Sequence, residues 1–230
     1  MSKEYNKIFI LSLMILGISG LPVHHKRHKR HSYSQRPFWH LPCGDPTPDS
    51  EINNLNEEEG ELSLERIINQ HKNALADYLH HDYEFLYERV RLGPAEHQYL
   101  PNWLPGKKDV HIVKKLSGKS SQTIINHLPK LHEDLQKFSI AINQMLEDEP
   151  TFKVRDALTK TKFYLRLMLC EVESGIVIFE DLSIPERINS DIIAVEERHP
   201  TDDTVRLVRD WGVLLKYKNY LHAWKHVFND

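Results

Sequence analysis

The chain has 230 residues, 30 Lys and Arg against 33 Asp and Glu, two Cys and nine Gly, with a formal net charge of −3. That length suits one domain of about 150–200 residues plus tails, and the composition excludes global disorder and collagen-like repeats. Two Cys exclude a disulfide-dense scaffold or a four-Cys zinc site, and the near-neutral total argues against a chain built mainly to coat nucleic acid.

Lys3 and Lys7 precede the apolar run Ile8–Leu16, which exits through Gly17, Ser19 and Gly20. This pattern predicts a signal peptide over 1–20, since the run is too short to span a bilayer. A basic pro-segment follows over 21–30. Its Arg27-His28-Lys29-Arg30 resembles the site cut by furin-type convertases, whose acidic subsites select Arg27, Lys29 and Arg30 by charge. Left uncut, the same tail suits a heparan-type polyanion. The four His of 24–31 lack a fixed geometry, so no metal is assigned. Residues 31–62 are a Pro-rich leader, where Pro37, Pro42, Pro46 and Pro48 forbid regular helix.

The body, 63–230, reads as four long helices. Leu64, Ile68, His71, Leu75, Tyr78, Leu79, Phe85 and Leu86 recur at spacings of three and four, predicting a first helix over 63–92 that stops at Gly93-Pro94. A second begins near Ser120-Ser121 and ends before Pro150. Pro129 either kinks it or marks where its regular part starts. A third follows Pro150 and ends before Ser183-Ile184-Pro185, and a fourth runs from Asp203 to Phe228. No segment alternates as a strand would. The connections are roughly 27, four and twenty residues long. Long, short, long fits two crossovers and one tight turn, an all-α, up-up-down-down four-helix bundle.

Several local sequences then resemble the long-chain helical cytokines of the interleukin-6 and ciliary neurotrophic factor class. Leu92-Gly93-Pro94 with Tyr99–Pro105 is similar to the exit from the first helix in cardiotrophin-like members. Leu146-Glu147-Asp148 is similar to the end of the second, Ile184-Pro185 to the sequence after the third, and Trp211–Leu215 with Trp224 to the fourth. Among invertebrate proteins the chain most resembles the Unpaired-type ligands of a Domeless-like receptor. The resemblance implies a secreted ligand that brings class I cytokine receptor chains together and activates Janus-kinase/STAT signalling, with no catalysis and no cofactor. It departs from the class at Val205–Arg209, where a Phe-x-x-Lys motif is missing. No Asn-x-Ser/Thr sequon occurs.

In this class a receptor surface falls at the start of the fourth helix, here Arg206, Arg209 and Trp211. Arg and Trp are also the residue types enriched at interface hot spots, although Trp211 lies on the apolar stripe and suits core packing. Trp103, bracketed by Pro101 and Pro105, is either an anchor onto the helices or a receptor contact. The outer edges of the first and third helices offer Asp77, Glu84, Arg155 and Arg166, each of which also suits a solvated face. Cys43 and Cys170 fit an internal disulfide in an oxidising compartment; two unpaired thiols, or an intermolecular bridge through Cys43, remain open. A secreted helical carrier of a hydrophobic ligand or lipid is the alternative function. Metalloprotease, hydrolase, phosphate-loop and dinucleotide fingerprints are absent, which argues against an enzyme. Charge divides the chain unevenly: 1–30 holds six Lys/Arg and one acid, and 31–230 holds 24 basic and 32 acidic residues. The tail is therefore where polyanion binding is expected.

Overall fold

The computed structural model describes residues 36–44, 57–92, 100–179 and 181–229. The signal peptide, the basic segment and the processing site at Arg27, Lys29 and Arg30 lie outside them. All regular elements among the described residues are helical.

Helix α1 spans Glu57–His80. It starts six residues before the expected Ser63. It also ends twelve residues short of the expected Leu92. The Asp82 carboxylate accepts from Phe85 N–H at 3.2 Å and starts a new single turn, α2, Tyr83–Leu86, followed by a 3₁₀ turn Glu88–Val90. An Asp that captures nearby backbone donors competes with a continuing helix. Beyond the break the face turns: Phe85, expected inside, is 64% exposed, while Tyr83, Tyr87 and Val90 are buried instead; Leu79, expected inside and still within α1, is 51% exposed.

Helix α3, Lys107–Lys114, lies inside the first long connection, where sequence periodicity predicts none. Asp109 closes its start by accepting from Gly106 N–H at 2.8 Å. Ser120 caps α4, Ser121–Ile125, and α5, Leu128–Asp148, carries Pro129 in its first turn. Pro129 thus marks the start of the regular helix, where its missing N–H costs nothing. Three residues separate α5 from α6, Phe152–Ile178. Helix α7 is Asp203–Phe228, with the Asp202 carboxylate accepting from Thr204 N–H at 2.7 Å.

Helix α1 packs on α6 and α7, and α5 packs on the same two. The contacts give the sense of each pair. His71 and Tyr78 of α1 bond to the carbonyls of Leu221 and Leu214 in α7, at 2.9 and 3.0 Å, so the numbering runs oppositely. Tyr220 meets Asp134 and Arg209 meets Asp148, which reverses α7 against α5. Glu173 meets His132 and Lys162 meets Asn143, which reverses α6 against α5. Tyr83 just beyond α1 bonds Thr161, whereas Ile67 near its start approaches Gly175, which reverses α1 against α6. A Cβ on Gly175 would lie 2.8 Å from Ile67 Cδ1, so the close approach of α1 to α6 requires the glycine. Leu128, Leu131, Leu135 and Phe138 of α5, Leu165 and Val172 of α6, and Leu214 and Tyr217 of α7 are wholly enclosed.

The leader does not stop at the domain edge. The compact unit begins at Arg36. The Trp39 indole donates to the Ile188 carbonyl at 2.9 Å, Arg166 Nε donates to the Pro42 carbonyl at 2.8 Å, and the Lys162 ammonium sits 4.8 Å from the Phe38 ring centre. Cys43 and Cys170 form a disulfide with their Cα atoms 4.9 Å apart. A stable disulfide suits an oxidising compartment. No helix among the described residues is long and apolar enough to cross a membrane.

Candidate functional site

The densest polar cluster stands where α5 ends and α7 begins. Residues 206, 209 and 210 are spaced i, i+3, i+4, so their side chains share the face that α7 turns towards α5. Arg209 donates through Nη2 to Asp148 at 2.8 Å and to Asp210 at 2.7 Å, through Nε to Asp210 at 2.8 Å, and through Nη1 to the Glu197 carbonyl at 2.8 Å. Arg206 Nη1 lies 3.1 Å from Glu149 Oε2 and 3.6 Å from Asp210 Oδ2. Asp148 also accepts from Gln144 at 3.1 Å and meets the His199 ring at 2.6 Å. His199 adopts a φ of 48° to bring its ring there, a conformation that few side chains adopt. The side chains of Asp210, Asp148 and Arg209 are 0%, 3% and 6% exposed.

Burial pushes the Asp210 carboxyl up to about 6, against the pull of Arg209 and Arg206. Burial acts the same way on Asp148, but there the bonds from Arg209, Gln144 and His199 win and hold it low. The arginines pair with three carboxylates, leaving Asp210 Oδ2 without a hydrogen bond, and the cluster clamps helices together.

Of the sequence-predicted residues, the structure gathers Arg206 and Arg209 here and sets Trp103 and Arg155 at the edge. The Trp103 indole donates to Glu197 Oε2 at 3.0 Å, and its ring closes a cleft of about 10 Å³ with Pro101, Ala141 and Val213. Arg155 is exposed and donates to the Glu149 carbonyl at 3.2 Å. Trp211 points elsewhere: it is buried, stacks on Tyr87 and donates to the Arg91 carbonyl at 3.3 Å. Asp77 lies 3.3 Å from the His81 ring, exposed Glu84 pairs with Lys218 at 2.6 Å, and exposed Arg166 holds Pro42. Arg206, Arg209 and Trp211 offer a partner little of their own area, whereas Glu84, Arg155 and Arg166 are presented to solvent.

A second cluster carries no prediction from sequence. Glu173 accepts from both Arg187 amino groups at 2.6 Å and from His132 Nε2 at 2.9 Å. Gln136 reaches His132 Nδ1 at 3.3 Å and the Glu186 carbonyl at 3.2 Å, and accepts from Ile188 N–H at 3.0 Å. Glu173 and Arg187 sit in different elements, but one signal was available. His132 and Gln136 are polar at i, i+4 beside the apolar stripe of α5.

Burial would raise the Glu173 carboxyl, yet the bonds from His132 and Arg187 hold it at about 2, below its ordinary 4.5. A depressed carboxylate stabilises the fold fully above its unfolded pKa and loses that contribution as pH falls towards the folded value. Glu173→Gln is therefore expected to cost about 2–3 kcal/mol at pH 7. It should also flatten the fall in melting temperature between pH 5 and 3, followed by circular dichroism. Equal acid sensitivity in the variant and the parent would remove Glu173 from that role.

No group of three His, Cys, Asp or Glu side chains able to hold a metal ion occurs among the described residues. Comparison of the chain with protein-family models, curated proteins and solved structures finds no match.

Proposed function

We propose that the chain is a secreted, non-enzymatic, cytokine-like ligand that engages class I cytokine receptor chains and activates Janus-kinase/STAT signalling. One observation carries the reading. Helix α1 runs against both α6 and α7, and α5 runs against the same two. If each neighbour is reversed, α1 and α5 share one direction and α6 and α7 the other, an up-up-down-down order. The three-residue turn between α5 and α6, against long connections on either side, supports the same order. The disulfide supports secretion.

A ligand of this kind works by geometry: it holds two receptor chains at a distance set by its rigid helices. The ion cluster between α5 and α7 contributes that rigidity, and at its edge exposed Arg155 and half-buried Trp103 supply contacts. Glu84 and Arg166 belong to separate faces, which suits a second receptor chain. The purified chain, applied to cells bearing single class I receptors or pairs of them, is expected to raise STAT phosphorylation for at least one combination. Silence across the set, with the helical circular dichroism spectrum intact, would overturn the reading.

A further inference from the structure

The overall charge conceals a basic surface on the folded part of the chain. Residues 107–130 contain six Lys and one Asp, and residues 211–229 contain three Lys and no acid, in a chain whose net charge is −3. At 100° per residue, Lys107, Lys108, His111, Lys114 and Lys115 fall within one arc of about 120° on α3. All five are exposed, while Val113 on the other side is buried. Along α7, Lys218, His222, Lys225 and His226 are spaced i, i+4, i+7, i+8 and form a single row.

Helix α3 packs on α7, with Lys114 of the first row close enough to act on His222 of the second. Burial and the neighbouring cations Lys218, Lys225, His226 and Lys114 all lower the His222 pKa, so the α3 and α7 cations share one field. Lys72 of α1 and Lys225 both act on His71, which extends that field to α1. Few acids stand against these cations; Asp109 acts on Lys130 and Lys216 rather than on the exposed row of α3. Asp109 faces back to Gly106 N–H, and Glu84 neutralises Lys218 at one end of the row. Lys107, Lys108, Lys114, Lys115, Lys119 and Lys225 form no ion pair with any described residue.

We infer that this α3–α7 surface binds a sulfated glycosaminoglycan, independently of the basic tail at 24–31. Clustered cations hold condensed counter-anions, and a polyanion that releases them gains affinity with a steep dependence on salt. The disulfide suits an oxidising compartment, and in the secreted reading sulfated polysaccharides are at hand there and free nucleic acid is scarce. Single-stranded nucleic acid is gripped by aromatic platforms, and both rows consist of Lys and His alone. The only large apolar side chain exposed on α3 is Ile112, too little to insert into a lipid surface. Polyanion binding would then survive removal of the tail at Arg30. The surface stands apart from the receptor reading, and its test does not depend on a receptor.

The test uses the full chain with its tail neutralised by Lys26→Ser, Arg27→Ser, Lys29→Ser and Arg30→Ser. On immobilised heparin at 0.15 M salt (about physiological), this protein is expected to be retained. Adding Lys107→Gln, Lys108→Gln, Lys114→Gln and Lys115→Gln should weaken binding by roughly tenfold or more. The slope of log affinity against log salt should fall by about one for each lysine in contact with the polymer. The four side chains are exposed and form no ion pair with any described residue, so an unchanged melting temperature confirms that the fold is intact. Flow-through of the tail-neutralised chain, or equal retention of the lysine variant, would overturn the inference. So would tighter binding to single-stranded RNA or to phosphatidylserine vesicles than to heparin at the same salt.

Discussion

Arg209→Met is expected to cost about 3–5 kcal/mol, enough to unfold a domain of ordinary stability at moderate temperature. Arg209 is bonded to two carboxylates and one carbonyl. Its removal leaves Asp148 and Asp210 facing each other without a shared cation, and Asp210 has no access to water. Asp210 Oδ2 already lacks a hydrogen-bond partner, so Arg206, 3.6 Å away, cannot absorb the loss by itself. Replacing a whole buried set by neutral groups costs far less than removing one member. Arg209→Met with Asp210→Asn should therefore recover much of the stability lost in the single variant.

The pH dependence identifies the cause. The folded-state pKa of Asp210, about 6, lies above its ordinary 3.8. Such a group favours the folded chain at acid pH, and the contribution is lost as pH rises through about 6. Without Arg209 that pKa rises further. The deficit of Arg209→Met, read from urea unfolding, should thus be larger at pH 8 than at pH 5. A deficit equal at both pH values, or a double variant no better than the single, would mean that Arg209 acts through packing rather than charge.

These residues also show what a sequence discloses. Arg206, Arg209 and Trp211 were singled out by residue type, as hot-spot chemistry at the start of a helix. Their type does not say which way they face; that depends on Asp148 and Glu149, some sixty residues away, arriving on a neighbouring helix. The helices α6 and α7 were legible because long apolar stripes bounded by Pro150, Pro185 and Asp202-Asp203 leave little choice of backbone. The break at His81-Asp82 was not, since Tyr83 and Tyr87 keep a helix-like spacing while the backbone restarts. Helix α3 escaped because eight residues with few inward side chains carry too weak a period. It is also the element that turns a modestly acidic composition into a local basic surface, so the same omission hid both the helix and its charge.

Cys43→Ser with Cys170→Ser is expected to lower stability by about 4–5 kcal/mol if the bridge acts by constraining the unfolded chain across its separation of 127 residues. The segment it ties down has holds of its own. Trp39 is buried and bonded to Ile188, His40 lies 3.0 Å from the same carbonyl, and Pro42 receives Arg166. These contacts should keep residues 36–44 docked in the native state of the thiol-free variant, so the loss appears as a lower urea midpoint with an unchanged Trp39 environment. Trp39→Ala in the disulfide-bonded chain separates the effects: there the bridge remains, the packing goes, and the loss should be nearer 3–5 kcal/mol through the cavity alone. If the thiol-free variant keeps the parent's midpoint, loop closure contributes nothing here. If instead its Trp39 signal becomes solvent-exposed before unfolding, the bridge holds the leader in place rather than restricting the unfolded chain. The first expectation follows from where the cross-link sits. It joins a segment already anchored at three carbonyls or rings to the middle of α6, so the native geometry gains little and the unfolded chain loses most of the freedom.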